Sequence, residues 1–176
     1  AMTVKFYPEG GDLVAGQQSR VAFMVSDEEG GRIRTTGHIE NERGVRICDL
    51  KTDSIGRGLF TFIPEKGHKY TCVLSNQKDK EKKYELPDIK DEGCVLTMNT
   101  NDSEVVSATI GASEKMQGRL LGYALMHGGT IIDCDTLTAG AHNELAFNRY
   151  LLPVEELVFQ CDILRMVFSL SGVYHI

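Results

Sequence analysis

Five histidines, His38, His68, His127, His142 and His175, are the side chains of this chain best suited to moving protons near neutral pH. With a serine or cysteine and an orienting carboxylate, such a residue can activate a nucleophile. No signature surrounds any of them: Gly-x-Ser-x-Gly and His-Glu-x-x-His are both absent from the sequence. His68 follows Gly67 and His127 precedes Gly128, which reads as turn-flanking placement. Asp133 and Asp135 flank Cys134, so on a strand their carboxylates share one face about 7 Å apart. A calcium site or an acid–base pair is one reading of the two; without other oxygen ligands nearby in sequence for a metal, a solvated strand face is the expectation. The acidic run Asp27-Glu28-Glu29 reads as a hydrated hairpin tip.

Gly56-x-Gly58 raises the question of a phosphate cradle. Thr61 stands where a third glycine would be needed, and the segment leads into alternating Phe60 and Phe62 instead of a helix N-terminus. A glycine-bearing hairpin feeding a core strand fits better. The five cysteines, Cys48, Cys72, Cys94, Cys134 and Cys161, show no CxxC pair and no histidine at zinc-ligand spacing. Cys48, Cys72 and Cys134 lie in apolar runs, where a thiol acts as a small hydrophobe. Cys48 with Cys72 is the best disulfide candidate if the compartment is oxidising. Asn101-Asp102-Ser103 matches a glycosylation sequon and reads as a turn. We expect no catalytic residue, no cofactor and no metal ligand, and so no enzyme.

The elements that carry these residues follow from hydrophobic alternation. Short period-2 runs bounded by Gly, Asp, Asn and Pro recur along the chain, and no long window holds helical spacing. Strands are predicted at 4–7, 20–26, 34–41, 44–52, 58–63, 69–75 and 82–86. A second set is predicted at 94–99, 104–112, 119–127, 129–134, 141–148, 155–161 and 164–170. The segment Leu120 to Met126 also admits a short helix, but Gly118, Gly122 and the Gly128-Gly129 turn favour strand. Seven short strands per half suit immunoglobulin-like sandwiches. The turn Asn41-Glu42-Arg43-Gly44 joins two strands of the first set, and Pro87-Asp88 closes it. The halves do not repeat residue by residue, so kinship between them would be of fold only.

Composition points the same way. The chain has 176 residues, 41% hydrophobic, enough to bury a core in one large domain or two small ones. Residues 1–87 have a net charge of +1 and residues 88–176 one of −7. This step supports two units, 1–87 and 88–176. An acidic chain whose one basic run, Lys78 to Lys83, is interrupted by Asp79 and Glu81 is not built to neutralise phosphates, which excludes nucleic acid as a partner. No stretch is long and apolar enough to insert in a membrane. Ala1 ahead of Met2 reads as an added residue, and the chain as a piece whose export signal was left behind.

Three segments resemble one family. Phe6-Tyr7-Pro8-Glu9-Gly10-Gly11, continuing through Leu13-Val14, Gly16 and Val21-Ala22-Phe23, is similar to the opening of the macroglobulin-type (alpha-2-macroglobulin-like) immunoglobulin-like domains of Gram-negative cell-envelope proteins. Thr52-Asp53 through Gly56, Gly58, Phe60, Phe62 and Pro64 resembles a second stretch of those domains. Leu137 to Asn148, followed by Glu155 to Phe159, is similar to the end of the domain that follows them, with Thr138 where proline is usual and Glu156 where arginine is usual. A binding role built on that arginine cannot be transferred. The thioester-forming Cys-Gly-Glu-Gln of full-length macroglobulins is absent.

The resemblance implies an all-β fold of two tandem immunoglobulin-like, macroglobulin-type β-sandwich domains. It also implies a non-enzymatic structural or protein-interaction module of a larger envelope protein, periplasmic or outer-membrane associated and of the kind linked to TonB-dependent receptors. The implied partners are another envelope protein or other domains of the parent chain. The alternative expectation is a ligand-binding module, for a glycan or peptide, whose loops at one end of a sandwich form the site. The sequence holds no tryptophan, which makes a flat aromatic sugar platform a weaker expectation.

Overall fold

A computed structural model describes residues 2–75, 80–127, 130–151, 156–163 and 169–175. Among these the chain is all β apart from two single-turn 3₁₀ segments, Glu114–Met116 and Arg149–Leu151. The strands are β1 (Thr3–Pro8), β2 (Leu13–Val14), β3 (Ser19–Ser26), β4 (Thr36–Asn41), β5 (Arg46–Lys51), β6 (Arg57–Phe62), β7 (Tyr70–Ser75), β8 (Glu81–Glu85) and β9 (Ile89–Lys90). There follow β10 (Cys94–Asn99), β11 (Val105–Ala112), β12 (Leu120–His127), β13 (Thr130–Thr138), β14 (His142–Asn148), β15 (Glu156–Ile163) and β16 (Ser169–His175).

The first seven long strands form two sheets, β1-β3-β6 and β5-β4-β7-β8. The last seven form β10-β11-β14 and β13-β12-β15-β16. Taken in chain order within each half, strands one, two and five make one sheet, and strands four, three, six and seven make the other. The two halves therefore share one immunoglobulin-like topology without sharing sequence. Leu120 to Met126 is strand, as its glycines suggested.

Alternation explains which face each strand buries. In β3, Val21, Phe23 and Val25 point inward, and β6 sends Phe60 and Phe62 into the same core. Ring centroids of Phe60 lie 6.5, 5.9 and 5.7 Å from those of Phe6, Phe23 and Phe62. The second core gathers Leu96, Met98, Ala108, Ile110, Leu121 and Leu125. The short parallel pair β2·β9 sets Leu13 beside Ile89, and Ile89 packs against the first core, so the segment after Pro87 is pinned to the first sandwich.

Two expectations need correction, and one alternative drops out. Cys48 and Cys72 are free thiols, as their apolar runs suggested, not a disulfide. Both lie opposite Ile39, on the strands that flank β4, so their Cα atoms are two strand spacings, about 10 Å, apart, beyond the reach of a bridge. Cys134 is exposed instead of buried, because β13 is an edge strand extending to Thr138 and lies open on both faces over most of its length. The last strand runs over Ser169–His175, not 164–170, and residues 164–168 lie outside the described residues.

Candidate functional site

The structure places the sequence-derived candidates in turns, on an open strand and beside carboxylates. Asp53 Oδ1 accepts the amides of Ile55 and Arg57 at 3.0 and 2.9 Å, closing the turn before β6. Gly56 takes φ +75° at that turn, and a Cβ there would lie 2.4 Å from the Val25 carbonyl oxygen. Gly58 leaves room for the Phe23 ring, which a Cβ would meet at 2.3 Å. Both glycines of the Gly-x-Gly therefore serve packing. Asp27 Oδ1 likewise accepts the amides of Glu29 and Gly31. Asp133 and Asp135 lie exposed on β13, and among the described residues no cluster of His, Cys, Asp and Glu could hold a metal ion. Burial, then the charges of Asp133 and Asp135, push the Tyr123 hydroxyl up from its ordinary value.

The histidines pair with carboxylates. His38 Nε2 lies 3.0 Å from Glu40, and His68 reaches Glu42 at 2.8 Å and Glu65 at 3.3 Å. His142 lies 3.9 Å from Glu144. The side chains of His127 and His175 lie outside the described residues. The Asn101 amide donates to Asn99 Oδ1, and Asp102 Oδ1 accepts the amides of Glu104 and Val105, so the sequon is a turn.

What sequence reasoning missed lies where the two sandwiches meet. Glu9 and Arg20, at the Pro8-Glu9-Gly10-Gly11 turn and on β3, form a two-point ion pair, with Arg20 Nε 2.5 Å from Glu9 Oε2 and its terminal nitrogen 2.9 Å from Oε1. Together they grip the backbone of Met98 on β10. The Met98 amide donates to Glu9 Oε1 at 2.9 Å, and Arg20 donates to the Met98 carbonyl at 2.6 Å. Gly10, with φ +84°, lets its backbone lie against Leu96, whose N and O would be 3.1 and 3.2 Å from a Cβ. Met98 and Leu96 are alternate residues of the outer strand of its sheet, so the turn covers backbone groups that an edge strand would otherwise present to any passing chain. The only sequence signal was the turn itself, since the group it grips is an amide 89 residues away.

Beside this clasp a cleft of about 410 Å³ opens between the outward faces of β3 and β6 on one side and of β10 and β11 on the other. Arg20 and Thr61 line the first wall, Thr97, Asn99 and Thr109 the second. Gln17 lies against Gly111, where a Cβ would be 2.5 Å from the Gln17 carboxamide oxygen. No tyrosine or phenylalanine lines the cleft, and it lies between the sandwiches instead of among loops at one end, where the ligand-binding alternative placed its site.

No family model matches the chain, and no curated protein matches it. Among solved structures it is similar to a Bacteroides uniformis β-glucuronidase, at 11% identity over all of this chain and 25% of that one, with a TM-score of 0.33. It is similar to the BSP domain of a biofilm-associated protein, at 15% identity over 94% of this chain and 28% of that one, with a TM-score of 0.36. Fibronectin(III)-like modules of Clostridium thermocellum CbhA match at 11% identity over 92% and 84%, with a TM-score of 0.35. The chain thus spans about a quarter of the first two.

Proposed function

We propose that this chain is a non-enzymatic structural and protein-interaction module in which two sandwiches are coupled into one stiff piece. The grip of Glu9 and Arg20 on the Met98 backbone carries the reading. A charge-assisted pair that also satisfies a backbone donor and acceptor resists hinge motion more than a bare linker would. The pinning of β9 to β2 and the Lys90–Asp12 ion pair at 3.0 Å shorten whatever hinge remains. Engagement of His38 and His68 with glutamates, with no serine, threonine or cysteine side chain bonded to either among the described residues, supports a role without catalysis.

The module belongs in this reading to a larger envelope protein, periplasmic or outer-membrane associated, with another envelope protein or other parts of the parent chain as its partners. The three stretches of likeness to macroglobulin-type domains are the support for that setting. No described helix is long and apolar enough to cross a membrane. Residual dipolar couplings measured on both units test the stiffness. One alignment tensor fitting both is expected, and Glu9→Ala should split it. Two independent tensors for the unaltered protein would refute the stiff-module reading. Protease access on intact cells expressing the parent protein tests the setting.

A further inference from the structure

We propose that the cleft between the sandwiches binds a short neutral oligosaccharide. Its volume of about 410 Å³ falls within the range of about 300–1,000 Å³ typical of small-ligand sites. Gln17, Gln18, Thr61, Thr97, Asn101 and Thr109 line it, and none of their side chains makes a hydrogen bond within the described residues. Carboxamides and hydroxyls both donate and accept, as does every hydroxyl of a sugar. The lining contains no carboxylate, and the charge of Arg20 is matched by Glu9 at 2.5 Å. A phosphorylated or uronic ligand would therefore find no unmatched cation in the lining, since His142 lies 3.9 Å from Glu144, while a neutral polyol needs none.

The same sheet supplies an apolar strip. Tyr7 pairs with Ala22 and Ala22 with Leu59, one row along from Arg20 and Thr61, about 7 Å away on the same outward face. Tyr7 and Leu59 are 52% and 58% exposed. An exposed tyrosine ring beside a hydroxyl-lined cleft offers the aliphatic face of a pyranose something to stack on. A peptide strand is disfavoured there, because the β10 edge that borders the cleft already has its outward backbone groups covered by Glu9, Arg20 and Gly10. Since the clasp fixes both walls, the cleft needs little ordering on binding, and in this respect the inference rests on the stiff-module reading.

The test is a glycan array carrying neutral glucans, mannans, xylans and galactans beside alginate, pectate and sulfated chains. The best binder is then titrated against the isotope-labelled protein by NMR. A neutral oligosaccharide that perturbs amides around residues 17–20, 61, 97 and 109 is expected. Tyr7→Ala, and Thr97→Val combined with Thr109→Val, should each weaken binding by about tenfold while leaving the remaining spectrum in place. Gln18→Ala offers a third readout should either variant fail to fold. Binding of acidic chains alone, no neutral binder at millimolar concentration, or perturbations confined to another surface would overturn the proposal. The dipolar couplings of the unligated protein judge the stiffness separately, so the two ideas fail by different measurements.

Discussion

The two sandwiches share one strand topology but fill it differently. The first gathers Phe6, Phe23, Phe60, Phe62 and Tyr70 into a chain of ring contacts, ending with Phe62 and Tyr70 5.1 Å apart. Among the described residues the second gathers Ala108, Ala112 and Ala139 with Met98, Met116, Leu and Ile, while Tyr123 and Phe147 pack from its margin. Aromatic side chains bury more area each, about 150–250 Å², so the first core gains more per buried position. The second unit also concentrates the negative charge and leaves β13 open on both faces over most of its length. On the described residues, one topology supports a better-anchored unit and a weaker one, and the clasp joins the weaker to the stronger.

The largest expected effect is in the aromatic core. Phe60→Ala removes a ring that touches three others and should cost about 3–5 kcal/mol in urea unfolding. Ile110→Ala in the second core should cost about 2–5 kcal/mol and lower only the transition of that unit. A larger loss from Ile110→Ala than from Phe60→Ala would reverse the ranking of the two cores.

Next comes the joint. Glu9→Ala leaves the Met98 amide without its acceptor and Arg20 without its ion pair, at a cost of about 1–3 kcal/mol. That loss should fall on the second unit and lower its transition further below that of the first. An unchanged second transition would mean that the sandwiches are coupled by something other than the clasp.

The joint also marks where the sequence stops being readable. Alternation placed nearly every long strand because Val21, Phe23 and Val25, or Phe60 and Phe62, announce their face by spacing alone. The Pro8 to Gly11 turn was legible as a turn, but its partner is backbone, and backbone amides carry no residue identity. The two-residue pair β2·β9 is too short to show a period. Cys134 misled because Ile131 and Ile132 precede it in an apolar run, yet they are 57% and 36% exposed on an edge strand. The cleft was invisible for the same reason as the clasp, since its walls come from strands far apart in sequence.

Acid tests both units at once. The amides of Arg57 and Ile55 hold the Asp53 carboxyl below its ordinary 3.8, those of Glu104 and Val105 do the same for Asp102, and burial opposes both. A depressed carboxyl contributes stability that is complete above its unfolded pKa and lost as pH falls through its folded one. Both turns should therefore weaken below about pH 3.8, one in each sandwich. Asp53→Asn should make the first unit less acid-sensitive and leave the second as it was. An unchanged acid profile would remove this turn from the account.

The smallest perturbation is chemical labelling of thiols, and it ranks the two units without a mutation. Cys134, exposed on β13, should react with maleimide from the folded state. Burial, with a smaller contribution from Cys48, pushes the Cys72 thiol up to about 12, and burial also raises that of Cys94. Neither should react from the folded state at neutral pH, because Cys72 and Cys94 are 0% and 1% exposed. Their labelling must then wait for local or global opening, at a rate set by the stability of the surrounding sandwich. Cys72 reports on the aromatic core and Cys94 on the aliphatic one, so mass spectrometry of labelled peptides should find Cys94 modified well before Cys72. Equal rates would mean that the units open together, which makes the clasp stronger than either core's own weakness. The reverse order would place the weaker unit at the aromatic end and undo the comparison.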